Sequence, residues 1–168
     1  MNDLQEQFNR IYDKYIEKIY RFVYLKVDSR ETAEDITSRV FLKGFESYKN
    51  EKKILNPGAF LYQIARNMVT DYYRDRGRTR IVSADFNSQI ADTRTNLYEK
   101  AVINADIEIV KSAMQGINNE YQDILIWHYL EDMPAEQISA IINRPVGTIR
   151  VMIHRGLKEL KDKLVKEA

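Results

Sequence analysis

The sequence predicts an all-α fold of two small helical domains joined by a flexible linker, the second domain containing a helix-turn-helix. Three observations carry that expectation. Apolar residues recur at steps of three and four along most of the chain. Proline and glycine are scarce, three and six in 168 residues, beside 30% charged residues, which is a helix-rich composition. The periodicity lapses between Arg78 and Asn96, where Ser, Thr, Asp, Asn and Arg dominate. The expected boundaries are therefore a domain over 1–78, a linker over 79–96 and a second domain over 97–168. At this size each domain buries only a modest core.

The elements follow in order. Leu4, Phe8, Ile11, Tyr15, Ile19 and Val23 form one stripe of a first helix. Asp28 and Glu31 have the spacing of a capping box for a second helix, with Ala33, Ile36, Val40, Phe41 and Phe45 inward. A basic loop, Lys49–Gly58, leads to Asn56 and Pro57, an N-cap and first helical residue. The third helix turns Leu61, Ile64, Ala65, Met68 and Val69 inward and is expected to end near Arg76 and Gly77. Helical pattern resumes at about Leu97 and runs to Gly116, then spans Asn119–Glu131, then fills Pro134–Ala168 as two helices.

Composition excludes several function classes. There is no cysteine, so disulfide scaffolds, CxxC zinc sites and thiol nucleophiles are ruled out. His128 and His154 show no HExxH pattern, and no glycine-rich phosphate loop occurs. The carboxylates read as scattered over helix surfaces. Neither an enzyme nor a cofactor or metal site is expected. No apolar run approaches the roughly 20 residues of a membrane span, and the N-terminus shows no signal-peptide core; the expectation is a cytoplasmic protein without membrane insertion.

Charge is sorted along the chain although the net is only +1. Residues 1–80 carry 16 Lys/Arg against 12 acids, and residues 137–168 carry seven against three. Between them, residues 101–136 hold one Lys and seven acids. Two basic regions suit nucleic-acid binding; solvated helix faces explain the same counts.

The C-terminal segment is the more specific signal. A short helix burying Ala135, Ile138, Ile141 and Ile142 meets Asn143, a residue tolerant of left-handed backbone. The following helix buries Ile149, Ile153, Gly156, Leu160 and Leu164 and turns Thr148, Val151, His154, Arg155 and Lys158 outward, with Arg150 at the edge. That pattern is a helix-turn-helix, whose second helix enters the major groove; a plain helical hairpin is the alternative. On the third helix Tyr62, Arg66, Thr70 and Tyr73 share one face, with Arg74, Arg76, Arg78 and Arg80 following. Rings stack on unpaired bases while cations track phosphates, although tyrosines also sit at half-buried helix positions.

Together these segments resemble the short, extracytoplasmic-function (ECF) sigma factors of bacterial RNA polymerase, over about residues 5–165. Residues 33–46, AEDITSRVFLKGFE, are similar to the segment that docks on the clamp helices of the polymerase β′ subunit. Residues 56–78 resemble the segment that recognises and opens the minus-ten element, and residues 117–160 the domain that reads the minus-thirty-five element. The resemblance implies a factor that binds core RNA polymerase, at the β′ clamp helices and the β flap, and directs promoter-specific initiation. By position it implies polymerase docking at Asp35, Ile36, Arg39 and Phe41. It implies that Asn67 and the Lys49–Gly58 loop, with Lys52 and Lys53, capture a flipped base of the minus-ten element, to which the ring-and-cation face adds Tyr62, Arg66, Tyr73 and Arg74 as expected contacts. Minus-thirty-five contacts fall on Thr148, Arg150, Val151, His154, Arg155 and Lys158. Promoter DNA is thus a partner, and an anti-sigma factor is a further partner the resemblance allows. Arg39 and Ser38 stand where the family usually has Glu and Gln, Asn118 where it has Pro, Asn143 where it has Gly, and Val151 and Met152 where it has Ser and Arg. A stand-alone helix-turn-helix regulator with an N-terminal dimerisation or sensor domain is the alternative reading; a helical adaptor explains neither the Arg/Tyr helix nor the sorted charge.

Overall fold

A computed structural model describes residues 3–50, 54–83 and 108–167, with residues 77–83 and Glu167 described by their backbone alone. Among the described residues there is no strand, and seven helices follow one another: α1 (Asp3–Lys26), α2 (Arg30–Asn50), α3 (Pro57–Ser83), α4 (residues 108–115), α5 (Asn119–Leu125), α6 (Ala135–Ile142) and α7 (Val146–Glu167). The backbone of α5 continues as a π-helical turn, Ile126–Leu130. No helix among the described residues is long and apolar enough to cross a membrane.

Helix α1 presents Ile19, Phe22 and Val23 to a shared interior, α2 presents Ala33, Ile36 and Val40, and α3 presents Leu61, Tyr62, Ala65 and Val69. Gly58 lets α3 start close to α1, because a Cβ there would lie 2.7 Å from the Tyr15 hydroxyl. Capping differs from the expectation at one end. Ser29, not Asp28, caps α2: its Oγ accepts from the Thr32 N–H at 3.1 Å, while Asp28 pairs with Arg76. Asn56 caps α3 as the sequence indicates, accepting from the Ala59 N–H at 3.1 Å. That helix does not stop at Gly77 but continues to Ser83; one interior glycine costs only about 1 kcal/mol relative to alanine, which the preceding turns absorb. Residues 84–96, the remainder of the expected linker, lie outside the described residues, as do the first turns expected after Leu97.

The second group builds its interior from Ile124, Leu125, Ile126, Trp127, Ile138, Ile141, Ile149 and Met152. Asn118 caps α5 through the Glu120 N–H at 2.8 Å. The two groups do not stand apart. Their buried residues join in one contiguous core, whose seam is an aromatic cluster. Trp127 lies parallel to Phe22 with ring centroids 5.3 Å apart and meets Tyr62 edge-on at 5.4 Å. Burying rings of this size contributes on the order of a few kcal/mol each.

Candidate nucleic-acid interface

Helices α6 and α7 form the helix-turn-helix. Asn143 closes α6 at φ 58° and ψ 50°, and its N–H donates to the Ser139 carbonyl at 2.8 Å; an Asn tolerates this left-handed geometry better than most residues. Ile149 is wholly buried and Met152 nearly so, which fixes the roll of α7. Thr148, Arg150, Val151, His154, Arg155 and Lys158 are all exposed, giving one basic face with Val151 among the cations. Arg150 is steadied by Glu136 of α6, N to O 2.9 Å, and Arg144 by Glu120 at 2.8 Å. The Arg-to-Met departure at Met152 is thus structural: that side chain faces the core.

On α2, Asp35 and Arg39 are exposed one turn apart with a 3.7 Å ion pair, and Lys43 and Leu42 extend the same outer surface. Ile36 and Phe41 do not belong to it. They are 2% and 5% exposed, Phe41 packing edge-on against Tyr12 at 4.9 Å. As apolar positions on the inward stripe they hold α2 against its neighbours and are not themselves exposed to a partner. Asn67 is exposed and lines an open cleft of about 310 Å³ between α2 and α3, together with Arg39, Lys43, Phe60, Gln63 and Asp71. Lys52 and Lys53 lie outside the described residues.

The largest departure concerns Tyr62 and Arg66. Both point toward the second helical group, not toward solvent. Tyr62 is fully buried under Trp127, and Arg66 Nε donates to Asp123 Oδ2 at 3.0 Å. Asp123 also pairs with Lys26 and is itself buried, so it is not one of a scatter of surface carboxylates. Burial pushes the Asp123 carboxyl above the usual carboxylate range, opposed by the two cations beside it. Burial likewise pushes the Lys26 ammonium down, opposed by Asp123. Tyr73 is half-exposed and donates its hydroxyl to the Lys26 carbonyl, and Arg74 stays in solvent beside Asp71 at 3.5 Å. Asp123 and Trp127 are the residues that sequence reasoning missed. The acid-rich stretch around them was visible; their long-range partners were not.

Three helices with an exposed acidic-basic flank, joined to a helix-turn-helix with an exposed basic face, have the architecture of a two-part DNA-binding protein. The comparisons make that specific. The family described as "Sigma-70 region 2" matches residues 11–79, and "Sigma-70, region 4" matches residues 107–160. The ECF RNA polymerase sigma factor SigE of Mycolicibacterium smegmatis is 28% identical over 162 residues, 92% of this chain and 60% of that protein. SigW of Bacillus subtilis, also an ECF sigma factor, is 27% identical over 172 residues, 95% of this chain and 90% of that protein. The fold is similar to that of the sigma factor RpoE of Bartonella quintana, solved with the anti-sigma factor NepR: TM-score 0.72 at 19% identity, covering 95% of this chain and 97% of that one. CnrH, solved with the cytosolic domain of CnrY, gives a TM-score of 0.68 at 14% identity, covering 98% and 91%. The chain belongs to the sigma-70 family as an ECF sigma factor. Both regions occurring in this order favour a promoter-recognising initiation factor over a stand-alone regulator.

Proposed function

We propose that this sigma factor docks on core RNA polymerase through the Asp35–Arg39–Lys43 flank of α2 at the β′ clamp helices and through its region 4 at the β flap. Asn67 and the cleft beside it read the minus-ten element as melted strand, and the α7 face from Thr148 to Lys158 reads the minus-thirty-five element as duplex. The observation that carries the reading is the exposed cation-rich face of α7, positioned by the left-handed Asn143 and rolled by buried Ile149 and Met152. Arg side chains on such a face can read guanine edges in the major groove, and Val151 can meet a thymine methyl.

Energetics supports a partner. Each stacked DNA step costs about 1.4 kcal/mol to open, on the order of the 1–3 kcal/mol that stacking one base on an aromatic returns. Capturing one or two bases offsets one or two steps, so opening a promoter needs the core enzyme. The chain works by binding, in the cytoplasm where polymerase acts, and we assign it no catalytic step. An anti-sigma factor is a further partner, by analogy with the complex of RpoE and the anti-sigma factor NepR. The test is co-purification with core polymerase followed by charge reversal, Asp35→Lys. Retention of wild type and weakened retention of a folded Asp35→Lys variant are expected. No retention of wild type would sink the reading.

A further inference from the structure

We propose that the cleft between α3 and the α4–α5 pair binds a free mononucleotide, its phosphate on the Lys111 ammonium and its base on the ring of Tyr73. The proposed function uses Asn67 and the α7 face; this cleft stands on other residues.

Lys111 is the residue that calls for a ligand. Five polar or charged side chains are buried among the described residues: Lys26, Thr37, Lys111, Gln122 and Asp123. Four of them are satisfied within the fold. Lys26 pairs with Asp123, Thr37 donates to the Ala33 carbonyl at 2.7 Å, and Gln122 donates to the Ile117 carbonyl at 3.1 Å. Lys111, 7% exposed, has no hydrogen bond and no ion pair among the described residues. Its ammonium lies 4.2 Å from the centre of the Tyr24 ring, a contact that offsets only part of the lost hydration. Burial pushes this ammonium down, opposed by Glu108 at longer range. Buried charges are ordinarily paired, and an anion reaching Lys111 through the cleft supplies the missing partner.

The cleft that Lys111 lines has the size and chemistry for one small molecule. Its volume is about 680 Å³, within the roughly 300–1,000 Å³ of small-molecule sites. Its two acids are already engaged, Asp28 with Arg76 and Glu108 with the Tyr24 hydroxyl, which donates at 3.3 Å. Lys26 is neutralised by Asp123. The uncommitted charge on the wall is that of Lys111, which selects an anion. Thr70, Ser112, Gln115 and Asn119 line the same space, and their side chains hold no hydrogen bond among the described residues. A phosphate has three acceptor oxygens for the ammonium and such hydroxyls, while the amides can meet ribose hydroxyls and base edges as donor and acceptor. Tyr73, from the α3 wall, is 41% exposed, and its hydroxyl is tied to the Lys26 carbonyl, which steadies the ring. An exposed ring stacks a base of any kind. A small carboxylate would satisfy Lys111 but leave the ring and the amides unused.

Titration calorimetry of the full chain with each of the four ribonucleoside 5′-monophosphates tests this without polymerase or DNA. At least one should bind, and its nucleoside, lacking the phosphate, should bind at least about tenfold more weakly. Lys111→Met keeps the stem of the side chain and removes the charge. It should weaken nucleotide binding by about tenfold or more and raise the urea midpoint, because a buried cation without a counter-ion is gone. Tyr73→Leu should weaken the nucleotide by about tenfold through lost stacking. A 16-nucleotide oligothymidine added to the complex should leave the nucleotide in place. No binding of any of the four, or binding indifferent to Lys111→Met or to Tyr73→Leu, would overturn the proposal. Displacement by the oligothymidine would overturn it in favour of a DNA strand in the cleft, and a lowered urea midpoint with unchanged binding would make Lys111 a structural residue.

Discussion

Helices α3 and α7 carry the same kind of pattern, cations and a few apolar residues on one face, yet their fates differ. The α7 face is open along its whole length, from Thr148 to Lys158. The α3 face is covered where Tyr62 and Arg66 sit and open only one helix position away, at Gln63 and Asn67. The inner side of α7 is filled by its own neighbours α5 and α6, which leaves nothing to claim the outer side. The Tyr62 side of α3 meets an acid and an indole that come from 57 and 65 positions later in the chain. Periodicity thus settles where a helix has faces, and long-range chemistry settles which of them water reaches.

Trp127 is where the cover over α3 is most exposed to a single substitution. Trp127→Ala removes a fully buried ring from the seam and from the interior of the second group, and should cost about 3–5 kcal/mol. Urea unfolding measures it; a loss under 1 kcal/mol would mean that the seam contributes little. Next come two neighbours on α7 with opposite environments. Arg150→Ala should weaken promoter binding at one position by about 1–3 kcal/mol with unchanged stability. Met152→Ala, being buried, should lower stability by about 2–5 kcal/mol and leave the preferred sequence as it was. An exchange of these two phenotypes would mean that α7 is rolled differently from the arrangement described. On the open part of α3, Asn67→Ala should slow promoter opening more than it weakens initial binding, read by permanganate footprinting beside a mobility-shift titration. Equal losses at both steps would give Asn67 a packing role.

The smallest effect is in alkali. Burial, with Tyr72 next to it, pushes the Tyr73 hydroxyl up to about 12, and burial pushes Tyr62 up as well. The folded chain therefore keeps protons that the unfolded chain releases near pH 10. Their stabilisation is complete below pH 10 and declines as pH rises toward 12. Tyr73→Phe should flatten part of that decline in unfolding free energy against pH, by a modest amount because the side chain is half-exposed. An unchanged slope would remove Tyr73 from the account.

Local chemistry was legible in the sequence. Asn56 before Pro57, Asn143 at the helix-turn-helix and the outward set on α7 all follow from nearest-neighbour rules, and the structure reproduces each. Where two local solutions compete, such rules are weaker: Ser29 outdoes Asp28 as cap of α2, and Gly77 lies within α3. Ile36 and Phe41 match a family segment by position, and their burial follows from the inward apolar stripe to which both belong. Lys26 and Asp123 lie beyond any local rule. Their pairing joins residues 97 positions apart, and in sequence each is an ordinary charged residue on an amphipathic helix.

The widened turn after α5 has a consequence of its own. Between Ile126 and Leu130 the backbone closes bonds five residues apart, as in Glu131 N–H to the Ile126 carbonyl at 3.2 Å. Such a turn holds one residue more than an α-helix needs. Deleting one residue there, Tyr129 for example, can restore ordinary helix locally and rotate everything downstream by about 100° against everything upstream. Trp127 and Asp123 would keep their grip on α3, while α6 and α7 would be carried to a new heading. At this point of the chain the spacing is set by a count of residues more than by their kinds, so relatives differing by a single-residue insertion or deletion here would aim the same recognition helix in different directions.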